Sequence, residues 1–478
     1  MANLSRRRFM TRTGALGFAA SMGALTGMSG TRAWAADTSG YKAMVCIFLK
    51  GGMDQGDTVL PYDQTSYDQL GAVREGLFNA YNVTDPASTR NRANLLKLNA
   101  DNAASFGGRE YALPPELAPL HQMFEGGDLA VIGNVGPLIQ PTTRTQIDNN
   151  SAILPRRLFS HNDQQSTWMS LDVEGSRFGW GGRFMDAALA SAPGDNPIFA
   201  TVSTGSNDVF LAGNTTRPFT VTSNGAELPN LTTKKWYLGY TDADDAVRAR
   251  IHDYLARNDF NNTNVFAQDL RNANGRAIGN AEAILAARES AGEFTTVFAN
   301  DSLGRQLKSV AETIRIQQVL NVSRQMFYVS TGGYDTHNGQ ANSIGGRHAS
   351  LANAMASFKS AMQEIGHWNN TVLFTASDFG RTLIDNGDGT DHGWGGHQFV
   401  AGGAVQGKNL YGSLPSAEIG GESYTPSRGR LIPSVAVEQY AATIGGWFGL
   451  TGSELQTALP SLSNFNQSDL GFMGNTGA

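Results

Sequence analysis

Ala43-Met44-Val45-Cys46-Ile47-Phe48-Leu49 runs directly into Lys50-Gly51-Gly52-Met53-Asp54-Gln55-Gly56-Asp57. Seven apolar residues in a row, with no polar alternation, describe a strand buried on both faces. Strands of that kind belong to parallel sheets covered by helices on either side. Four further runs share the pattern, at 129–133, 325–330, 371–375 and 398–401. Amphipathic stretches at 116–124, 303–322 and 350–365 precede three of these runs, and Gly126-Gly127 and Gly366 close the first and last of them. A glycine that stops a helix just before a strand is an ordinary helix-to-strand joint. The alternation predicts an α/β domain with a mainly parallel central sheet flanked by helices. The polar, Asn- and Ala-rich segment 224–293 has a helical pattern and reads as an inserted helical subdomain or lid.

The N-terminus carries an address. Ser5-Arg6-Arg7-Arg8-Phe9-Met10 has the spacing of a twin-arginine signal. A weakly apolar, Gly- and Ala-rich stretch at 14–28 follows, then the small-residue triplet Ala33-Trp34-Ala35. Residues 1–35 therefore read as an export signal, and residues 36–478 as the mature α/β domain, periplasmic or extracellular. No later run is long and apolar enough to span a membrane. A hydrophobic content of 40% with 16% charged residues suits a globular chain and excludes a disordered one. The formal charge is −6; the signal holds five arginines and no acid, so the mature chain carries −11. Such a chain repels phosphate backbones, which argues against a nucleic-acid partner. Cys46 is the single cysteine, reads as a buried strand residue, and permits no internal disulfide.

Ligands of open α/β sheets bind beyond the carboxyl ends of the strands. Asp54 follows the first run. Asp335 and His337 follow the third, and Asp378 with Arg381 follows the fourth. Asp391, His392 and His397 precede the last. Carboxylates and imidazoles are the usual ligands of Zn²⁺, Mn²⁺ and related ions. Each aspartate also has a plainer use in a turn or a helix cap. His121, His252, His348 and His367 read as structural. In Leu158-Phe159-Ser160-His161-Asn162-Asp163-Gln164-Gln165, Ser160 suits either a helix cap or a nucleophile activated by a metal. A helix N-terminus at that point would also favour a bound anion.

The same pieces resemble a bacterial family known as domain of unknown function 1501. They are the twin-arginine start, Phe48-Leu49-Lys50-Gly51-Gly52-Met53-Asp54, Leu117-Ala118-Pro119-Leu120 leading into Gly127-Asp128-Leu129-Ala130, Ser160-His161-Asn162-Asp163-Gln164-Gln165, Gly333-Tyr334-Asp335-Thr336-His337, Asp378-Phe379-Gly380-Arg381-Thr382 and Thr390-Asp391-His392-Gly393-Trp394-Gly395-Gly396. That family is similar in fold to the alkaline phosphatase and sulfatase superfamily. The resemblance implies a metal-dependent hydrolase of phosphate or sulfate esters, acting on a small-molecule or glycan ester. It implies Ser160 as nucleophile and Asp54, Asp335, His337, Asp378 and His392 or His397 as ligands of a divalent ion (Zn, Mn or Ca), with Asn162 or Arg381 on the anion. Two departures stand out. The superfamily's adjacent Asp-His pair is here Asp378-Phe379, which removes an imidazole, and the Asp335-x-His337 spacing is tight. One ion or none is then expected, with His161 as a substitute ligand beside its catalytic placement. The alternative is a catalytically silent exported scaffold that binds a glycan or a partner protein.

Overall fold

The computed structural model describes residues 35–204, 209–227, 249–250, 253–254 and 264–474. The expected export signal lies outside them except for its last residue. So do 228–248, 251–252 and 255–263 of the expected insertion.

Among the described residues, nine strands form the central sheet: β1 Lys42–Leu49, β2 Leu129–Gly136, β3 Thr201–Thr204, β4 Phe219–Val221, β5 Arg324–Thr331, β6 Thr371–Ser377, β7 Gly396–Gly402, β8 Leu410–Gly412 and β9 Val435–Ala436. Their order across the sheet is β8-β2-β7-β6-β1-β5-β3-β4, with β9 also paired to β2. Every pairing is parallel except those of β7, which runs antiparallel to both β2 and β6. The five apolar runs of the sequence are β1, β2, β5, β6 and β7, so the expected α/β sheet is the one present. The strands that the sequence does not announce, β3, β4, β8 and β9, are two to four residues long. They are too short for a periodicity to show.

The main helices are α1 Ala118–Glu125, α2 His161–Ser170, α3 Trp180–Ser191, α4 Val265–Ala291, α5 Ser302–Arg315, α6 Gln340–Glu364 and α7 Val437–Phe448. Strand β1 shows how they enclose the sheet. Ala43, Val45, Ile47 and Leu49 pack with Leu120 of α1, Leu307 of α5 and Leu351 of α6. Met44, Cys46 and Phe48 pack on the other face with Trp168 of α2, Phe184 of α3 and Tyr440 of α7. Successive strand residues point to opposite faces. Both faces are buried, which is why the run is apolar throughout. Each fully buried large side chain contributes about 1.5–3 kcal/mol.

Two helix boundaries differ from the sequence expectation. Helix α6 begins at Gln340, ten residues before the expected start at 350. Asn342, Ser343, Gly345 and Gly346 are weak helix formers, and tertiary packing overrides them. The stretch 303–322 breaks after Arg315 into a short second helix, Gln317–Leu320. Within the expected insertion, the described part of 264–293 is chiefly α4, whose Ile278, Ala281, Ile284 and Ala287 are buried. No helix among the described residues is long and apolar enough to cross a membrane.

The sheet register positions the site. Leu49 is paired with Thr331 on one side and Ser377 on the other. Strands β1, β5 and β6 therefore end at one level, and their following loops leave side by side. Because β7 is antiparallel to β6, its start at Gly396 lies at that same edge.

Candidate metal centre

The loop after β1 turns sharply enough for the two neighbouring loops to close over it. Gly51 has φ +118° and Gly52 φ +93°. A Cβ on Gly51 would stand 2.3 Å from the Asp335 backbone nitrogen, and one on Gly52 2.7 Å from the Phe379 ring. Only glycine accepts both the backbone angle and the approach. Ser377 fastens the turn: its hydroxyl donates to the Leu49 carbonyl at 2.6 Å and accepts from the Met53 N–H at 2.8 Å.

Four side chains meet beyond this edge. The donor atoms of His161, Asp335 and His392 all lie within 4.8 Å of one another. His161 Nε2 is 3.4 Å from Asp335 Oδ2, and His392 Nε2 is 3.6 Å from Asp335 Oδ1. His337 joins on the Asp335–His392 side, with its Nε2 3.1 Å from Asp335 Oδ1 and 2.9 Å from His392 Nε2. The other nitrogen of each ring faces an oxygen. His161 Nδ1 donates to Asp378 Oδ2 at 2.6 Å, His392 Nδ1 to the Phe159 carbonyl at 2.7 Å, and His337 Nδ1 lies 3.1 Å from Asp391 Oδ1. Oxygen acceptors on Nδ1 place the proton there and leave Nε2 with its lone pair. His161 Nε2 is buried and has no hydrogen-bond partner. Two imidazoles and a carboxylate, those of His161, His392 and Asp335, aimed at one region are the donor chemistry of a divalent cation, and these residues fit one.

The support behind this group is buried. Asp378 has no exposed side-chain surface and also accepts from Gln165 Nε2 at 3.0 Å. Arg381 Nη1 donates to Asp335 Oδ1 at 3.0 Å and to the Gly51 carbonyl at 3.1 Å. Phe379 lies beneath two of the imidazoles, its ring centroid 4.9 Å from that of His161 and 4.6 Å from that of His392. The hydrogen bond to Asp378 raises the His161 pKa above the ordinary histidine value. Burial lowers that of His392. Burial opposes the charge on Asp335, yet Arg381 and the neighbouring imidazoles outweigh it and hold the carboxyl below its usual range.

Residues 41–426 match a family model described as "Protein of unknown function (DUF1501)". The chain belongs to this family. No curated protein matches this DUF1501 chain in sequence. Among solved structures it is similar to Ps i-CgsB in complex with k-i-k-neocarrahexaose, at 8% identity and TM-score 0.32, covering 89% of this chain and 77% of that one. It is similar to the lipoteichoic acid synthase LtaP from Listeria monocytogenes, at 9% identity and TM-score 0.29, covering 86% and 72%. It is also similar to the PsFucS1 sulfatase from Pseudoalteromonas sp., at 9% identity and TM-score 0.31, covering 91% and 71%. Likeness that loose transfers neither substrate nor site.

The DUF1501 chain gathers some of the expected site residues and not others. Asp335, His337 and His392 meet, and His161 stands among them as a fourth donor. Asp54 does not. Both its oxygens are held by Arg74, at 2.7 and 2.8 Å, and Gln340 Nε2 donates to Oδ2 at 2.7 Å, all fully buried. Its place as a ligand is corrected to a buried ion pair behind the site. Asp378 is corrected from ligand to the support of His161. His397 is buried in β7, where its Nδ1 accepts from the Asn134 N–H at 3.0 Å, and it is outside the cluster. Arg381, expected on an anion, is fully buried and gives its donors to Asp335, Gly51 and Thr390. Ser160 occupies the position before α2, where its hydroxyl donates to Asp163 Oδ2 at 2.9 Å rather than capping the backbone. Asn162 is exposed on the first turn of α2. Sequence reasoning missed Gln165, Phe159 and Arg74. Asp391 it weighed as a turn residue; its place one residue before His392 was the available signal. Nothing in the sequence marks Arg74.

Proposed function

We propose that this chain is an exported metal-dependent hydrolase of phosphate or sulfate esters with a serine nucleophile. One observation carries the metal centre: the Nε2 atoms of His161, His337 and His392 face Asp335 while each Nδ1 faces an oxygen. The ester class is supported by the order of the motifs quoted above, and export by the paired arginines near the N-terminus. Two imidazoles with one carboxylate, and a third imidazole beside them on His337, suit Zn²⁺ or Mn²⁺; Ca²⁺ prefers oxygen ligands throughout. A divalent ion held there supplies Lewis acidity, which polarises an ester oxygen and acidifies a nearby hydroxyl.

The chain's own groups do the rest. Asp378, Asp391 and the Phe159 carbonyl orient the imidazoles, and Arg381 holds Asp335. Ser160 stands one residue before His161 at the start of α2, where the helix dipole favours a bound anion. Its hydroxyl already points its proton at Asp163, a carboxylate able to take it as the oxygen attacks phosphorus or sulfur. The P–O or S–O bond to the ester alcohol breaks, the alcohol leaves, and water then cleaves the seryl ester to free phosphate or sulfate. Asp335 and His337 are nearly half exposed, so the substrate meets the site from solvent. That openness admits a group carried on a glycan as readily as a small ester.

The same Ser160–Asp163 hydrogen bond favours a second reading, in which water attacks directly and Ser160 only starts the helix. Purified protein is assayed for metal content and for aryl phosphate and aryl sulfate hydrolysis, with Ser160→Ala and Asp335→Asn beside wild type. The serine reading expects bound Zn or Mn and turnover lost in both variants. Turnover retained in Ser160→Ala selects water. Absence of metal and of turnover from wild type removes the hydrolase.

A further inference from the structure

Arg430 lies half-buried beside His392 and Phe159 on a locked stretch of backbone. Its carbonyl accepts from the Thr425 N–H at 2.8 Å and its N–H donates to Thr425 Oγ1 at 3.1 Å. The next residue, Leu431, accepts from the Gly395 N–H at 2.8 Å. The side chain is fixed at its base. Nε donates to the His392 carbonyl at 2.9 Å, and the guanidinium carbon stands 4.3 Å from the centroid of the Phe159 ring. Phe159 is itself tied to His392 through its own carbonyl and holds φ +72°, a strained angle for an aromatic residue, just before Ser160. The three side chains thus form a closed unit beside the candidate nucleophile.

The two terminal nitrogens of Arg430 have no hydrogen-bond or ion-pair partner among the described residues. Its neighbours differ. Arg157 Nη1 faces Asp163 Oδ1 at 3.3 Å, and Arg428 pairs with Asp391. Arg381 is buried and committed to Asp335. An anionic ester approaching Asp335 and Asp391 needs a positive group that those carboxylates do not already hold. A planar guanidinium with two free N–H edges matches two oxygens of a phosphate or sulfate.

We propose that Arg430 binds the anionic group of the substrate, in the role the sequence assigned to Arg381. The inference rests on the ester reading for the identity of that anion. Its test is direct binding. Inorganic phosphate and inorganic sulfate are titrated calorimetrically into metal-containing wild type, Arg430→Met and Arg430→Lys, with metal content and melting temperature measured on each. The expected result is an anion affinity at least about tenfold lower in Arg430→Met, the loss of a charge-assisted contact, with partial recovery in Arg430→Lys and metal retained in both. Three results overturn it: an Arg430→Met affinity within about twofold of wild type, loss of metal from both variants, which would make Arg430 a support of His392, or no binding of either anion by wild type. Phosphate bound through Arg430 by a protein that cleaves no ester would remove the hydrolase and leave this assignment. Ester cleavage with unchanged anion binding in Arg430→Met would do the reverse.

Discussion

Replacing Asp54 by Asn separates a buried ion pair from a metal ligand. Asp54 and Arg74 are 1% and 0% exposed. The carboxylate accepts two hydrogen bonds from Arg74, one from Gln340 and one from the Gly56 N–H at 3.0 Å. Burial works against its charge, and Arg74 more than compensates, holding the carboxyl below its usual range. Asparagine keeps one acceptor and turns an NH2 toward groups that are themselves donors. Arg74 is then left buried with its charge unmatched. Adding the lost charge-assisted bonds singly, at about 1.5–3 kcal/mol each, overstates the effect because they share one group. Breaking a buried pair from one side costs about 3–5 kcal/mol, and that is the loss expected here. Urea unfolding followed by circular dichroism reads it, with metal content measured on the same samples. The metal stays, and adding Arg74→Met recovers part of the loss by removing the stranded charge. Loss of metal at unchanged stability would return Asp54 to the ligand set and refute the reasoning.

Asp378→Asn weakens the orientation of His161 and is expected to lower metal affinity by about 10- to 100-fold with the fold intact; chelator competition measures it, and an unchanged affinity counts against the support role. Gly51→Ala drives a Cβ into the Asp335 backbone at a left-handed φ and is expected to destabilise by at least about 2 kcal/mol, read in the same urea assay. Glu438, buried in α7, has its pKa pushed up to about 7 by burial, against 4.5 for the ordinary group. A raised carboxyl contributes stability that is complete below about pH 4.5 and lost as pH rises through 7. Glu438→Gln should therefore gain on wild type across that window, approaching about 3 kcal/mol by pH 8; a difference that does not vary with pH would contradict this.

What could be read before the structure was whatever burial writes into consecutive residues. The runs of β1, β2, β5, β6 and β7 are apolar because both faces are covered, and their loops had to emerge at a common edge. That edge is where Asp335, His337 and His392 come together; their expected roles came from the family resemblance. The errors share one physical origin. A carboxylate after a strand looks the same in sequence whether it joins a cluster of imidazoles, as Asp335 does, or is enclosed by an arginine from a distant loop, as Asp54 is by Arg74. His397 is two residues beyond the antiparallel turn into β7, where strand pleat sends it inward. Phe379 looked like a missing ligand and is the floor under His161 and His392. Arg430 has no motif around it, because what fixes it is a carbonyl, a ring and a loop closure, none of which leaves a trace in residue type.

The reversed strand β7 has a consequence for how this site can vary. The chain leaves the sheet at Ser377 and re-enters it at Gly396, at the same end and beside the strand it left. Everything between, from Asp378 to Gly395, is a single detour that needs no crossing of the sheet. It supplies a donor, His392, the props Asp378 and Asp391, the floor Phe379 and the clamp Arg381. Lengthening, shortening or exchanging that one detour would rewrite most of the centre while the order of strands, and the two cores they divide, stayed as they are.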